Sequence, residues 1–456
     1  MSLSRVSISA SLGLFLAGCG VSGDNRQSSG EGTEAEQLRA QLNAQGIQPL
    51  PDPPAISDEL FELGQALFFD KILSGSQDVS CATCHLPSFY TGDGRTLPNG
   101  VHGIGFGPSR GGGAIVGRNS PNLFHLAQKH ELFWDGRVSW DPRVMNPAGS
   151  IVVPPNVALT DEMRAIFTRG IGLLAAQALL PVFARNEMRG YPGENDLADL
   201  GDDYTAVWAA LLERLLAVPG YVDLLRAAYP GVALGDFHFA HAANAIAGFE
   251  ARAFSHVASP FERFTRGDDA ALSSEQLAGA REFFGPAGCN RCHSGSLFTD
   301  QQHHNIGLPQ LGPGPVDPPL GGPVALGADF GRMNVSSDLA DIYAFRTPSL
   351  LAVALTGPYG HAGQFANLRD FVQHYQDPEV SALSYDISSN VFDPELVTQL
   401  VDNTDSVLSH LDPLLANPKR FDVDAVVGFL NSLTPDDAGL LDAFVPDSVP
   451  SGLPVF

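Results

Sequence analysis

Cysteine is almost missing from this chain, with five in 456 residues: Cys19, Cys81, Cys84, Cys289 and Cys292. Four of the five stand as two closely spaced pairs, so a disulfide framework linking distant segments is not what they serve. Long apolar runs are missing as well. Beyond the first residues, no stretch is apolar over the ~20 positions a helix needs to cross a bilayer. Basic residues are few, 26 Lys and Arg against 51 Asp and Glu, for a formal charge of −25. That balance speaks against nucleic acid and anionic lipid surfaces as partners, keeps the chain soluble, and favours positively charged partners. Strand patterns are scarce.

The one early apolar run is "VSISASLGLFLA", from Val6 to Ala17, behind the single basic residue Arg5. Its length and position predict a secretory signal over residues 1–18. The ending Leu16-Ala17-Gly18-Cys19 resembles a bacterial lipobox, which implies cleavage before Cys19 and lipidation of its thiol. Gly20 follows, with no aspartate there to retain the protein at the inner membrane, so an outer-membrane anchor facing the periplasm is expected. With Cys19 committed to lipid, the remaining pairs require modification or a metal.

The remainder is too long for one ordinary core and predicts two domains. Residues 19–50 are polar and read as a flexible tether. In "ISDELFELGQALFFD", Leu60, Leu63 and Leu67 share a helical stripe that leads into the first cysteine pair. Residues 91–121 are rich in glycine without the flanking strand and helix of a dinucleotide site, and predict a loop packed close to something bulky. Helical patterns recur over 161–188, 204–229 and 236–256. A second unit then repeats the plan: "LSSEQLAGAREFFGPAGCNRCH" has Ser273 and Gln276 spaced as a capping box, then an apolar helix and the second pair. Near the end, Val423, Val426, Leu430 and Leu433 share one helix face. The expected fold is mainly α, as two helical domains over 51–258 and 259–440, with a tail over 441–456.

Both pairs are followed at once by histidine, "CATCH" at 81–85 and "CNRCH" at 289–293. Two thiols one helical turn apart can each add to a vinyl group of haem, and the adjoining imidazole is then held against the iron. This reading makes Cys81, Cys84, Cys289 and Cys292 thioether donors, with His85 and His293 as proximal ligands. A zinc ribbon would place its two pairs about 15–20 residues apart, whereas these lie roughly two hundred positions apart. A thioredoxin-like pair needs a βαβ setting, which the sequence lacks.

Around these motifs the chain resembles a family, the bacterial di-haem cytochrome c peroxidases and their MauG-type relatives. The similarity runs over most of residues 55–435 and rests on "ALFFDKILSGSQDVSCATCH", "RNSPNLFHL", "LFWDGR", "FRTPSLLAVALTGPYGHAG" and the closing helix, in the family's order. It implies two cytochrome c-like domains, each with one covalently bound haem c. Peroxide meets the N-terminal haem, and the C-terminal haem holds the second oxidising equivalent. By the same resemblance, Gln177, Pro181 and Glu187 of "AAQALLPVFARNEMRG" match the distal segment of the first haem. Glu187 acts there as general acid and base, and Gln177 orients the peroxide. Trp134 of "FWDGR" matches the tryptophan relay between the haems. Tyr375 matches the sixth ligand of the second iron, which is tyrosine in MauG and methionine in the electron-accepting peroxidases. Met333 and the neighbouring His374 are the alternatives. Asn119, with the carbonyls of Thr356 and Pro358, matches a calcium site. His102 lies where some peroxidases carry a histidine that caps the resting N-terminal haem. The chain departs from the family in about 25–30 extra residues around "VSWDPRVMNPAGSIVVPPNVALTDEMRAIF", expected to form a flap near the haem edge. The pairs His238/His241 and His303/His304 are expected to serve structure or the haem surroundings.

The implied activity is a periplasmic peroxidase that reduces hydrogen peroxide to water through a ferryl intermediate, with electrons from a small cytochrome c or cupredoxin. The alternative is a MauG-like oxidase that modifies Trp or Tyr side chains of a partner protein. An electron carrier with both irons six-coordinate is the third reading.

Overall fold

The computed structural model describes residues 33–141, 143, 150–255, 258–315, 327–436 and 438–456. The proposed signal sequence and Cys19 lie outside the described residues. The first half carries α1 (Glu34–Ala44), α2 (Asp58–Phe69), α3 (Cys81–Cys84), α4 (Asp161–Ile166), α5 (Gly172–Ala178), α6 (Tyr204–Leu216), α7 (Pro219–Ala228) and α8 (Phe239–Ala253). The second carries α9 (Pro260–Thr265), α10 (Ser274–Phe283), α11 (Met333–Ser336), α12 (Leu368–His374), α13 (Pro378–Leu383), α14 (Ile387–Asn390), α15 (Thr404–Leu408) and α16 (Val423–Asn431). Strands are short: an antiparallel sheet of β1 (Glu131–Leu132), β2 (Val138–Trp140) and β3 (Ile151–Val152), and an antiparallel pair of β4 (His303–His304) and β5 (Phe345–Arg346).

Two helix crossings organise the molecule, and they are built alike. α2 starts at Ser57, whose hydroxyl accepts from the Leu60 amide at 3.2 Å, and buries Leu60, Leu63, Leu67, Phe68 and Phe69. It meets α8 at Gly64, where a Cβ would stand 1.9 Å from the Ala245 carbonyl oxygen and 2.8 Å from Phe249 Cβ. α10 starts at the Ser273/Gln276 capping box expected from the sequence and meets α16 at Gly279. A Cβ there would stand 1.9 Å from the Ala425 oxygen and 3.0 Å from Phe429 Cβ. In both crossings a glycine lets one backbone press onto a carbonyl and a phenylalanine four residues apart on the partner helix. Each crossing precedes or closes over one Cys-x-x-Cys-His segment.

The expected tether is corrected over its second half. Residues 34–44 form α1, with Thr33 and Glu36 as a capping box and Leu38 and Leu42 buried. The helix packs on α10, where the Gln41 amide donates to the Phe284 oxygen at 3.1 Å. Two leucines one turn apart supply the apolar stripe that docks an otherwise polar segment.

The expected flap is corrected as well. β2 and β3 extend β1 into a sheet that lies against α5, and α4 packs on α8. No described residue between 138 and 170 lines either of the cavities below. The extra residues buttress the helix that carries Gln177 from behind.

The glycine-rich loop packs largely on backbone. A Cβ at Gly100 would strike the Asn186 oxygen at 1.9 Å, and one at Gly117 the Gly314 oxygen at 2.0 Å. The buried Arg110 guanidinium donates to the oxygens of Asn99 at 2.6 Å and Gly100 at 2.7 Å, which holds the loop's path.

Candidate functional site

Two cavities open beside the two Cys-x-x-Cys-His segments. The first has about 1180 Å³ of empty space and the second about 1640 Å³, counting what runs out to solvent.

Cys81, Cys84 and His85 line the first cavity. The His85 Nδ1–H donates to the Thr91 oxygen at 2.8 Å, which leaves Nε2 as the nitrogen free for a metal. Cys289, Cys292 and His293 line the second, and His293 Nδ1 is tied to the Phe298 oxygen at 3.0 Å. Thr91 and Phe298 both sit at positive φ, 68° and 52°, a backbone state non-glycine residues seldom adopt. Burial holds both imidazoles below their usual pKa, in the neutral form a metal requires. Burial also pushes the thiols of Cys81 and Cys289 up to about 12, and Cys84 upward too. The two pairs line different cavities, so they do not form one shared zinc site. The donor sets fit haem c.

Gln177 and Glu187 reach the first cavity together, with Pro181 between them. α5 delivers Gln177. Glu187 stands on a wide turn over Arg185–Arg189, closed by the Gly190 amide on the Arg185 oxygen at 2.9 Å. Wide turns of this kind cluster at functional sites. This one is pinned on several sides: Gly75 N donates to the Met188 oxygen at 2.7 Å, Asn186 Nδ2 to Ile115 O at 3.1 Å, and Arg189 to Asp202 at 2.9 Å. Glu250, from α8, lines the same cavity and was not foreseen. It is 6% exposed, its Oε2 has no hydrogen-bond partner among the described residues, and burial pushes its carboxyl up to about 8.

Trp134, Arg346 and the run Asn119–Asn122 line both cavities and form the wall between them. The Trp134 indole N–H donates to the Asn119 oxygen at 2.9 Å, and its own carbonyl accepts from Arg346 N at 2.8 Å. Beneath it, buried Asp135 takes Arg118 at 2.7 Å and Arg137 at 3.0 Å, and Arg118 reaches on to Asp329 at 2.6 Å. Against the upward push of burial, Arg137 and Arg118 hold the Asp135 carboxyl well below the usual range. This network bolts the wall to the second half of the chain.

Tyr375, half-buried just past α12, lines the second cavity, and desolvation pushes its phenol pKa upward. Its two rivals do not line it. His374 has both nitrogens engaged, Nδ1 with Ser381 Oγ at 2.9 Å and Nε2 with the Ile306 oxygen at 2.7 Å. Met333 opens α11, away from the lining. Asn119, Thr356 and Pro358 gather on the second cavity, and Asn119 Nδ2 donates to Arg95 O at 3.0 Å, so its Oδ1 is left to accept.

His102 does not reach the first cavity. It stands at φ 66° with its Nε2 3.0 Å from Glu194 Oε2 at the surface. His238 and His241 cap the start of α8. His303 lies 3.3 Å from Glu131, and His304 lines the second cavity held between Asp300 at 3.0 Å and Asp412 at 2.6 Å.

Two alike helix crossings, each beside a Cys-x-x-Cys-His segment, and two cavities that meet at a tryptophan make a protein with two linked candidate cofactor sites. The profile of the di-haem cytochrome c peroxidases matches residues 58–270. The methylamine utilization protein MauG of Methylorubrum extorquens is 33% identical over 74% of this chain and 74% of its own length. Cytochrome c551 peroxidase of Pseudomonas aeruginosa is 30% identical over 74% and 79%. A solved MauG-like protein associated with microbial copper homeostasis matches with a TM-score of 0.57, at 25% identity over 86% of this chain and 94% of its own. The chain belongs to the di-haem cytochrome c peroxidase and MauG family, an oxidoreductase of the peroxidase type with haem c as its cofactor.

Proposed function

We propose that this enzyme reduces hydrogen peroxide to water in the periplasm with electrons from a small cytochrome c or cupredoxin, and that Cys19 anchors it by lipid to the outer membrane. The observation that carries the reading is the pair of cavities meeting at Trp134, one faced by Gln177 and Glu187 and the other by Tyr375. Two cytochrome c-like units, 51–258 and 259–440, each hold one haem c, which supplies the redox chemistry at iron. His85 and His293 would hold the two irons. Gln177 donates a hydrogen bond that orients peroxide, while the Glu187 carboxylate takes its proton and returns it to the departing oxygen as water forms. The Trp134 indole is the stepping point for an electron between the units. Tyr375 closes the second site as an anionic oxygen donor, and Asn119 with the carbonyls of Thr356 and Pro358 holds calcium at the wall.

The test is peroxide turnover by the purified protein with both haems loaded, using a reduced, basic cytochrome c as donor. Two equivalents of donor oxidised per peroxide is the expected result, and no donor oxidation would overturn the reading.

Tyr375 also favours a second reading, a MauG-like oxidase that draws electrons from Trp or Tyr side chains of a docked protein. Phenolate stabilises higher iron oxidation states than a thioether does. Reaction of the ferric protein with peroxide without prior reduction, lost in Tyr375→Met, would select this second reading.

A further inference from the structure

The second cavity holds a feature that none of the roles above uses. Lys129, four residues past the buried His125, is 3% exposed and lines that cavity. Its ammonium has no hydrogen-bond or ion-pair partner among the described residues. Arg346, 4% exposed, lines the same cavity and the shared wall. Among the described residues its guanidinium donates only to carbonyl oxygens, Phe133 at 3.0 Å and Thr347 at 3.2 Å, and has no carboxylate in contact. Among the described residues lining the cavity, the one carboxylate is Asp412, and it is taken by His304.

Lysine is almost never fully buried without a partner, because an unpaired charge out of water is costly. Both side chains line the same cavity, and burial, followed by Arg346, pushes the Lys129 pKa well below its usual value. An anion that enters this cavity favours the charged form of Lys129 and can pair with both side chains. Resting on the haem reading above, the cavity's expected occupant carries one. Thioether attachment at Cys289 and Cys292 uses the vinyl edge of a porphyrin and leaves its two carboxylates on the opposite edge.

We propose that Lys129 and Arg346 clamp the carboxylates of the porphyrin bound at Cys289 and Cys292, and that Lys129 sets that haem's reduction potential. A cation beside the ring stabilises the reduced, less positive state, so Lys129 raises the potential against the lowering effect of an anionic Tyr375.

The test is spectroelectrochemical titration of the holoprotein, following the two haems by their distinct spin states, for wild type, Lys129→Gln and Lys129→Arg. Lys129→Gln is expected to shift the midpoint of the low-spin haem to a lower potential and to leave the other haem unchanged. Lys129→Arg, which keeps the charge, is expected to hold the wild-type value. Loss of the second haem in Lys129→Gln but not in Lys129→Arg supports the clamp equally. Unchanged midpoints, equal shifts at both haems, or loss of haem in both variants would overturn it. Fewer than two haems in the wild-type protein would sink the functional reading instead, so the two failures are distinguishable.

Discussion

At the scale of the residue, charge states in the first cavity follow from burial. Glu250 is an acid whose pKa stands raised in the folded protein, to about 8 from 4.5. The native state therefore keeps a proton that the unfolded chain releases. Its contribution is fully present below pH 4.5 and is lost as pH rises through 8, at a cost near pH 8 of about 4 kcal/mol. Glu250→Gln, which cannot ionise, is expected to melt higher than wild type at pH 8, with the gap closing toward pH 5. Thermal melts of the holoprotein at several pH values measure this. Glu187 carries a different expectation, because its role lies in moving a proton. Glu187→Gln should lower kcat/KM for peroxide by about 10²–10⁴-fold, with haem content unchanged and partial recovery in Glu187→Asp. That Cys81, Cys84 and His85, and likewise their second-unit counterparts, stand together on one cavity was legible in the sequence, because their spacing is local. Glu250, Lys129 and Arg346 were not. "AQKHE" reads as a solvated loop until packing turns Lys129 inward. Glu250 sits in a helix whose wide apolar surface hides which turn faces the cavity. A histidine such as His102, judged by its distance from His85 alone, gives no sign that Asp78 and Glu194 hold it at the surface.

The elements show where periodicity suffices and where it fails. The stripes of α2, α10 and α16 were readable because each buries one face, and Val423, Val426 and Leu430 are all buried as that spacing requires. The pattern over 161–188 breaks into α4, α5 and the turn that carries Glu187, since Gly170 at φ 92° and Pro181 interrupt it. The pattern over 204–229 breaks before Pro219 for the same reason. The capping box at Thr33 and the pair Leu38/Leu42 did announce α1, but lay inside a stretch polar enough to pass for a tether. Gly64 and Gly279 matter most at this scale, because no side chain fits against the partner carbonyl. Gly64→Ala and Gly279→Ala are each expected to destabilise by about 1–3 kcal/mol or more as the helices are forced apart. Gly428→Ala, in open space on α16, should stabilise by about 0.5–1 kcal/mol. Denaturant unfolding of the three variants gives the comparison.

Across the whole molecule, the two ends of the described chain exchange places. α1 packs on the second unit, while the C-terminal tail returns to the first. There Phe444 meets Phe61 and Phe249, Phe456 meets Phe69, and the Ser451 hydroxyl donates to Asp70 at 2.7 Å. With the Arg118–Asp135–Asp329 bridge between the halves, these crossings tie the units into one body. Removing residues 447–456 uncovers Phe69 and deprives buried Asp70 of a donor. The expected result is a lower melting temperature with both haems retained, read by calorimetry and haem content. The reciprocal packing was not legible in the sequence, because contacts between residues hundreds apart leave no local pattern. The measurement that reaches the central claim most directly is electron paramagnetic resonance of the ferric protein as isolated, alongside its haem count. Two haems per chain, one high-spin with an open position and one low-spin with histidine and tyrosinate, is the predicted result. A single haem, or two low-spin irons, would contradict it.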